Sequence, residues 1–194
     1  MAVRPFQDMT APEAERFMAT KQDQRIRAIV AGRIGNRDVI DLGCGRGIHI
    51  SRDYSPKQYI GLDCSHELIK LARKANPGYA FEVWDIKHPY KVTSEVALIK
   101  SVLEHQESLE DARAIFDVAQ RTAPEVLICW HTPPEGQQTI IRRVDAELDH
   151  PIYQNVYQQG SFDDLIREDS TLRTERLGEF QLWTIRRRGL RSDH

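Results

Sequence analysis

Apolar residues along the chain fall into two kinds of run that take turns. Short, nearly continuous runs read as strands buried on both faces: DVIDL (38–42), QYIGL (58–62), YAFEVW (79–84), EVALIKSV (95–102) and EVLICW (125–130). Between them lie stretches with a 3.6-residue period. Ser65 can cap a helix whose apolar positions are Leu68, Leu71, Ala72 and Ala75, and Asn76-Pro77-Gly78 stops it. Ser108 and Asp111 box the start of a second helix, with Leu109, Ala112, Ile115, Phe116 and Ala119 inward. GIHISRDY (47–54) reads as a helix opened by a glycine turn and ended by Ser55-Pro56. Ile140, Ile141, Val144 and Leu148 mark another, and Ser161 with Asp164 boxes a short one.

The two ends of the chain complete the pattern. Thr10 and Glu13 form a capping box ahead of Ala14, Phe17 and Met18, while Ile26, Ile29 and Val30 form another apolar face. The faces do not align on one straight helix, so a break near residues 19–24 is expected within a helical cap over 1–34. TLRTERL and FQLWTIR read as two final strands joined through Gly178. They must pair antiparallel, because a parallel crossover needs about a dozen residues or more. Strands separated by helices predict a parallel sheet covered on both faces. The expectation is one α/β domain, a three-layer sandwich of about seven strands with an antiparallel edge, with no linker dividing residues 1–194.

Composition narrows the classes of partner. Of 194 residues, 40% are apolar and 29% charged, which suffices for a sizeable core. The net charge of −2 argues against a nucleic-acid or membrane partner recognised by bulk charge. One basic cluster, Arg186, Arg187, Arg188 and Arg191, is either a solvated chain end or a patch for an anionic partner. The 3 cysteines, Cys44, Cys64 and Cys129, form no Cys-x-x-Cys pair, so neither a disulfide frame nor a zinc knuckle is indicated and no metal is expected. A reduced, cytoplasmic setting follows. The first residues lack the apolar run of a signal peptide, and no run approaches the ~20 apolar residues that span a bilayer.

The stretch VIDLGCGRG (39–47) carries the chemistry. Gly43, Gly45 and Gly47 let the chain turn tightly after the first strand and let a ligand touch bare backbone. Ligands of such sheets bind beyond the C-terminal ends of the strands, where a following helix offers free N–H groups. The spacing is G-x-G-x-G, not the G-x-G-x-x-G of a dinucleotide site. Asp41 would also repel a pyrophosphate, whereas a ligand with an ammonium and a positive sulfur would welcome it. S-adenosylmethionine is such a ligand. Asp63, at the end of the second strand, can accept both ribose hydroxyls. Asp85, after the third, can accept from the adenine amino group, with Ile86 sandwiching the base.

With these residues the chain resembles the class I, seven-stranded, Rossmann-like S-adenosylmethionine-dependent methyltransferases. VIDLGCGRG is similar to their first motif, YIGLDCSHELIKLARK to their second, FEVWDI to their third and ALIKSVLEH to their fourth. EVLICW and FQLWTIR match the fifth and last strands, so the resemblance runs from about residue 26 to 188. It implies strand order 3-2-1-4-5-7-6 with one antiparallel strand. It also implies cofactor roles for Asp41, Gly43, Gly45, Gly47, Asp63 and Asp85, with Cys44 and Cys64 inside the first two motifs, and a backbone contact near Ser101. SVLEHQ stands where methyltransferases acting on base or glutamine amines carry Asn/Asp-Pro-Pro-aromatic, which disfavours those acceptors. The acid pattern of metal-dependent catechol methylation is absent too, as are the paired acids of aminopropyl transfer.

Methyl transfer needs the acceptor aligned with the sulfonium and water excluded, and a hydroxyl acceptor also needs a base. His105, beyond the fourth strand, and His131, beyond the fifth, are the candidate bases. Glu104 reads as structural. The acceptor pocket is expected from the N-terminal helices, where Lys21 and Arg25 either follow a break or face an anionic ligand, and from HPIYQNVYQQGS (150–161). There Tyr153, Asn155 and Tyr157 alternate, as a surface loop or as a lid over the acceptor. With no large insertion or strong charge, the expected acceptor is a small molecule, and a monomer or homodimer is the expected state. A protein or RNA acceptor, or a non-catalytic subunit that keeps the cofactor fold, are the alternatives.

Overall fold

The structure, a computed structural model, describes residues 21–47, 58–131, 155, 157 and 159–189. The expected helices at 47–54 and 140–148, the Thr10 capping box, and the residues His49, His150, Tyr153 and Arg191 lie outside them. Helix α1 (Lys21–Ile34) leads into β1 (Val39–Leu42) and then β2 (Tyr59–Asp63). Helix α2 (His66–Ala75) and β3 (Ala80–Val83) follow, then β4 (Val96–Lys100), α3 (Leu109–Thr122) and β5 (Glu125–His131). The chain ends in the hairpin β6 (Ser170–Leu177) and β7 (Phe180–Arg187), turned at Gly178 with φ 69°.

The strands form one 7-stranded sheet in the order β3-β2-β1-β4-β5-β7-β6. β1 to β5 pair in parallel, while β7 runs antiparallel to both β5 and β6. The architecture and the order implied by the resemblance are therefore those observed. β1 is flanked by β2 on one side and β4 on the other, so the crossovers depart in opposite directions and, by the rule for such sheets, the ligand crevice falls at the C-terminal ends of β1 and β4.

Each central strand feeds two cores, which is why its sequence is apolar throughout. Ile40, Leu42, Ala97, Ile99, Val126 and Ile128 pack with Ala112, Ile115, Phe116 and Ala119 of α3. Val39, Val96, Leu98 and Leu127 point the other way, onto Ile26, Val30 and Ile34 of α1 and Ile69 and Ala72 of α2. Ser65 caps α2 by accepting from Leu68 N, and Ser108 caps α3 by accepting from Asp111 N at 3.0 Å.

Two local expectations change. Helix α1 already runs from Lys21, so any break lies before the described residues, and Arg25 is exposed rather than inward. The Ser161–Asp164 box does not form. Asp164 instead pairs with Arg113 of α3, whose guanidinium also donates to the Ser161 carbonyl at 2.6 Å, and only a 3-10 turn over Asp163–Leu165 results. A charged partner from another element outcompetes the local cap. Two residues of the basic cluster are likewise committed: Arg186 pairs with Glu125 at 2.6 Å, and Arg187 lies 3.8 Å from Asp169, while Arg188 is exposed. Arg37 closes the Glu125 site from the other side at 3.0 Å. Burial pushes the Glu125 carboxyl up, but the two guanidiniums outweigh it and hold it below the usual range. Among the described residues no helix is long and apolar enough to cross a membrane.

Phe116 is fully buried between α3 and the sheet, 5.1 Å from the Phe162 ring. Phe116→Ala is expected to cost about 3–5 kcal/mol of stability in urea unfolding. A loss below about 1 kcal/mol would contradict this packing.

Candidate functional site

At the end of β1 the main chain folds back over β2. Gly43, Gly45 and Gly47 take φ of 80°, 54° and 68°, a region that side chains rarely allow. Gly43 N and Cys44 N both donate to the Leu62 carbonyl, at 2.7 and 3.0 Å. Gly45 N donates to Asp63 Oδ2 at 2.9 Å. Space is short as well as conformation: a Cβ on Gly43 would stand 2.5 Å from Val102 Cγ2, and one on Gly47 2.8 Å from the Phe81 ring. Asn76, just past α2, donates to the Gly47 carbonyl at 3.3 Å and ties the far side of the turn.

The three acids stand at increasing exposure around this turn. Asp41 is 0% exposed and lies beneath it. One oxygen accepts from the Tyr59 hydroxyl, and Oδ1 has no partner among the described residues. Burial pushes this carboxyl up to about 7, opposed by the Tyr59 bond and the charge of Lys100 and helped by that of Asp63. Lys100, also buried, lies on the same sheet face, two residues beyond the Leu98 that pairs with Asp41. Asp63 sits at the rim, buried, its Oδ1 accepting from Ser65 N at 2.9 Å. Burial raises it, and the donors Ser65 N and Gly45 N partly offset that. Asp85 is exposed, accepts from Lys87 N at 3.1 Å, and is followed by the buried Ile86.

The two cysteines of this region stay protonated. Burial, then the charges of Asp41 and Asp63, push the Cys44 thiol well up. At Cys64 desolvation and the charges of Asp63 and Asp85 push the thiol up to about 12, although the residue as a whole is exposed. Neither is a nucleophile at neutral pH. Asp63 thus bears on both thiols, with Asp41 on the side of Cys44 and Asp85 on the side of Cys64.

The other side of the crevice is built by β4 and β5. Ser101 adopts φ 53°, unusual for a side-chain-bearing residue, and donates its N–H to the Cys129 carbonyl at 2.8 Å. The strained step swings the chain from β4 into a 3-10 turn over Leu103–His105. His105 and Glu104 are both buried in it. His131 closes β5, its Nδ1 3.2 Å from Glu104 Oε1 and its ring 4.3 Å from the Phe180 ring.

Asn155 and Tyr157 lie in irregular backbone but are buried, unlike a surface loop or open lid. Asn155 donates from Nδ2 to the Gln106 carbonyl and from its main chain to the Glu104 carbonyl, both at 2.6 Å. Tyr157 is 2% exposed, packed on Trp130 and Phe162. The first is a tether of the turn after β4, and the second is a core residue. Two further residues, Lys100 and Tyr59, and the pairing of Glu104 with His131 escaped the sequence reading. Glu104 and His131 meet only through the β4–β5 register, in which Lys100 faces Cys129. Lys100 and Tyr59 lie inside strands β4 and β2, and alternation along β4 puts Lys100 on the face of Asp41.

Residues 40–123 match the family described as "Methyltransferase domain". No curated protein sequence matches the chain. Among solved structures, DhpI in complex with SAH superposes with a TM-score of 0.69 at 17% identity, over 92% of this chain and 93% of that one. CalS10, a SAM-bound amino pentose methyltransferase from Micromonospora echinaspora, gives 0.66 at 15% identity, over 92% and 97%. Magnesium protoporphyrin IX methyltransferase from Synechocystis PCC 6803 with bound SAH gives 0.64 at 16%, over 92% and 90%. The chain has the class I, Rossmann-like methyltransferase fold.

Asp41 yields a pH test. Its folded value of about 7 lies above the unfolded carboxylate value of about 3.9, so between those limits the native chain holds a proton that the unfolded chain has lost. Its contribution to stability is therefore full at low pH and falls as pH rises through that window. Asp41→Asn keeps an acceptor for Tyr59 and should shrink the difference between urea midpoints at pH 5 and pH 8. An unchanged difference would contradict the buried carboxyl.

Proposed function

We infer that the chain is an S-adenosylmethionine-dependent methyltransferase that carries a methyl group to an oxygen or nitrogen of a small molecule. The observation that carries this reading is the meeting of the glycine turn with Asp63 and Asp85 at the ends of adjacent parallel strands. The residues fit the cofactor. Gly43, Cys44, Gly45 and Gly47 offer bare main chain. Each Asp63 oxygen accepts one main-chain N–H, and a carboxylate has about four acceptor sites, so capacity remains for two ribose hydroxyls. Asp85 and Ile86 suit the base, and the Ser101 main chain lines the opposite wall. Asp41 Oδ1 lacks a partner among the described residues, and a ligand bearing ammonium and sulfonium would stabilise its charged form.

When bound, S-adenosylmethionine supplies an activated methyl group on a positive sulfur. The chain's own task is then to align the acceptor and exclude water. His105 and His131 stand at the ends of β4 and β5 as the groups able to hold a proton there. Of the acceptor residues Tyr153, Asn155 and Tyr157, the last two are buried and are assigned to holding the wall behind the acceptor, and contact with it is assigned to Tyr153. A small acceptor is supported by the commitment of Arg186 and Arg187 to Glu125 and Asp169, which leaves less free positive charge for a polyanion. A cytoplasmic setting is supported by Cys44, Cys64 and Cys129 forming no disulfide.

Titration calorimetry tests the cofactor, and a screen of metabolite extracts with a labelled methyl donor tests the transfer. Asp63→Ala is expected to weaken both S-adenosylmethionine and S-adenosylhomocysteine by at least about tenfold, a loss of roughly 1.4 kcal/mol. Unchanged affinity would remove the ribose assignment.

A further inference from the structure

The pairing of Glu104 with His131 asks for a purpose beyond packing. Glu104 is 2% exposed, and its Oε2 has no partner among the described residues. Burying a carboxylate is costly unless a charge or strong donor meets it. Burial pushes its carboxyl up, but the His131 bond and the charges of His105 and His131 outweigh that and hold it below the usual range. The turn that carries it is clamped by the two Asn155 bonds. His131 keeps 32% of its side chain exposed, so the ring has one edge on Glu104 and another open.

A carboxylate only accepts hydrogen bonds, so Nδ1 has to carry a proton to satisfy it. The neutral ring then has its lone pair on Nε2. We propose that Glu104 is a positioning residue that fixes His131 with its proton on Nδ1, so that Nε2 takes the proton of a hydroxyl-bearing acceptor. This rests on the methyltransferase reading and narrows its acceptors to alcohols and phenols. His131 Nε2 removes the hydroxyl proton as the oxygen forms its bond to the methyl carbon, and the electron pair of the broken carbon–sulfur bond stays on the sulfur of S-adenosylmethionine. The imidazolium is balanced by Glu104 until water takes its proton. An acceptor that arrives as a carboxylate needs no such base. Among the described residues the titratable neighbour of the pair is His105, in the same turn; β7 contributes the uncharged Phe180, and the incoming segment the uncharged Asn155.

Long-range proton–nitrogen spectra of the labelled chain with S-adenosylhomocysteine read the tautomer, and His131→Asn assigns it. The neutral ring of the native chain is expected in the Nδ1–H form. In Glu104→Leu it should revert to the Nε2–H form that free histidine prefers. With hydroxyl compounds from the labelled-methyl screen, Glu104→Leu should lower kcat about 100-fold while KM stays within about threefold, and Glu104→Asp should recover part of the loss. Calorimetry with S-adenosylhomocysteine should give the same affinity in all three. Should Glu104→Leu fail to fold, Glu104→Gln is read for the same kcat loss. A native ring in the Nε2–H form, an unchanged kcat, or a screen returning only nitrogen or carboxylate acceptors would overturn the proposal. Failure of the native chain to bind S-adenosylhomocysteine would overturn the methyltransferase reading instead, and the ring spectrum of the free chain would still decide the tautomer.

Discussion

Two main-chain N–H groups at the end of β1 share one carbonyl of β2, and a third finds the carboxylate of Asp63. That folding-back is the constraint from which the site follows. It demands positive φ at Gly43, Gly45 and Gly47 and leaves no room for a Cβ at two of them. It brings bare backbone beside the ends of β2 and β3, and it does so where the crossovers diverge on either side of β1. A ligand of some length can therefore run along three strand ends while its reactive part reaches β4 and β5.

Charge is graded around that turn in a way that separates structural from chemical tasks. Asp41 is sealed beneath it against Tyr59, with Lys100 on the same face, so it sets the local potential rather than meeting solvent. Asp63 has a double role, holding the turn through Gly45 N and Ser65 N and keeping acceptor capacity. Asp85 is open to water. At the far end of the sheet, Glu125 with Arg37 and Arg186 ties one residue of the basic cluster into the fold.

Much of this was legible in the sequence because burial on both sheet faces writes strands as continuous apolar runs. VIDL, YIGLD and VALIK stand out for that reason, and the caps Ser65 and Ser108 announced α2 and α3. The hairpin β6–β7 followed from the shortness of its connection. Strand order did not follow from the pattern and came from the resemblance to a family. Local rules failed where a distant partner competed: Arg113 drew Asp164 and the Ser161 carbonyl out of their expected box. Tyr157 looked like a loop residue because the wall that covers it, Trp130 and Phe162, is remote in sequence. Glu104 and His131 are joined only by cross-strand register, which no single stretch encodes.

The central claim is that the glycine turn is the seat of S-adenosylmethionine and not merely a tight connection. Main-chain amide spectra of the labelled chain, titrated with S-adenosylhomocysteine, test it most directly. The account predicts saturable shifts at Gly43, Gly45 and Gly47 together with Asp63 and Asp85, and none of that pattern with a nicotinamide dinucleotide. Amides at the turn that stay still under saturating S-adenosylhomocysteine, or that respond to the dinucleotide instead, would contradict it.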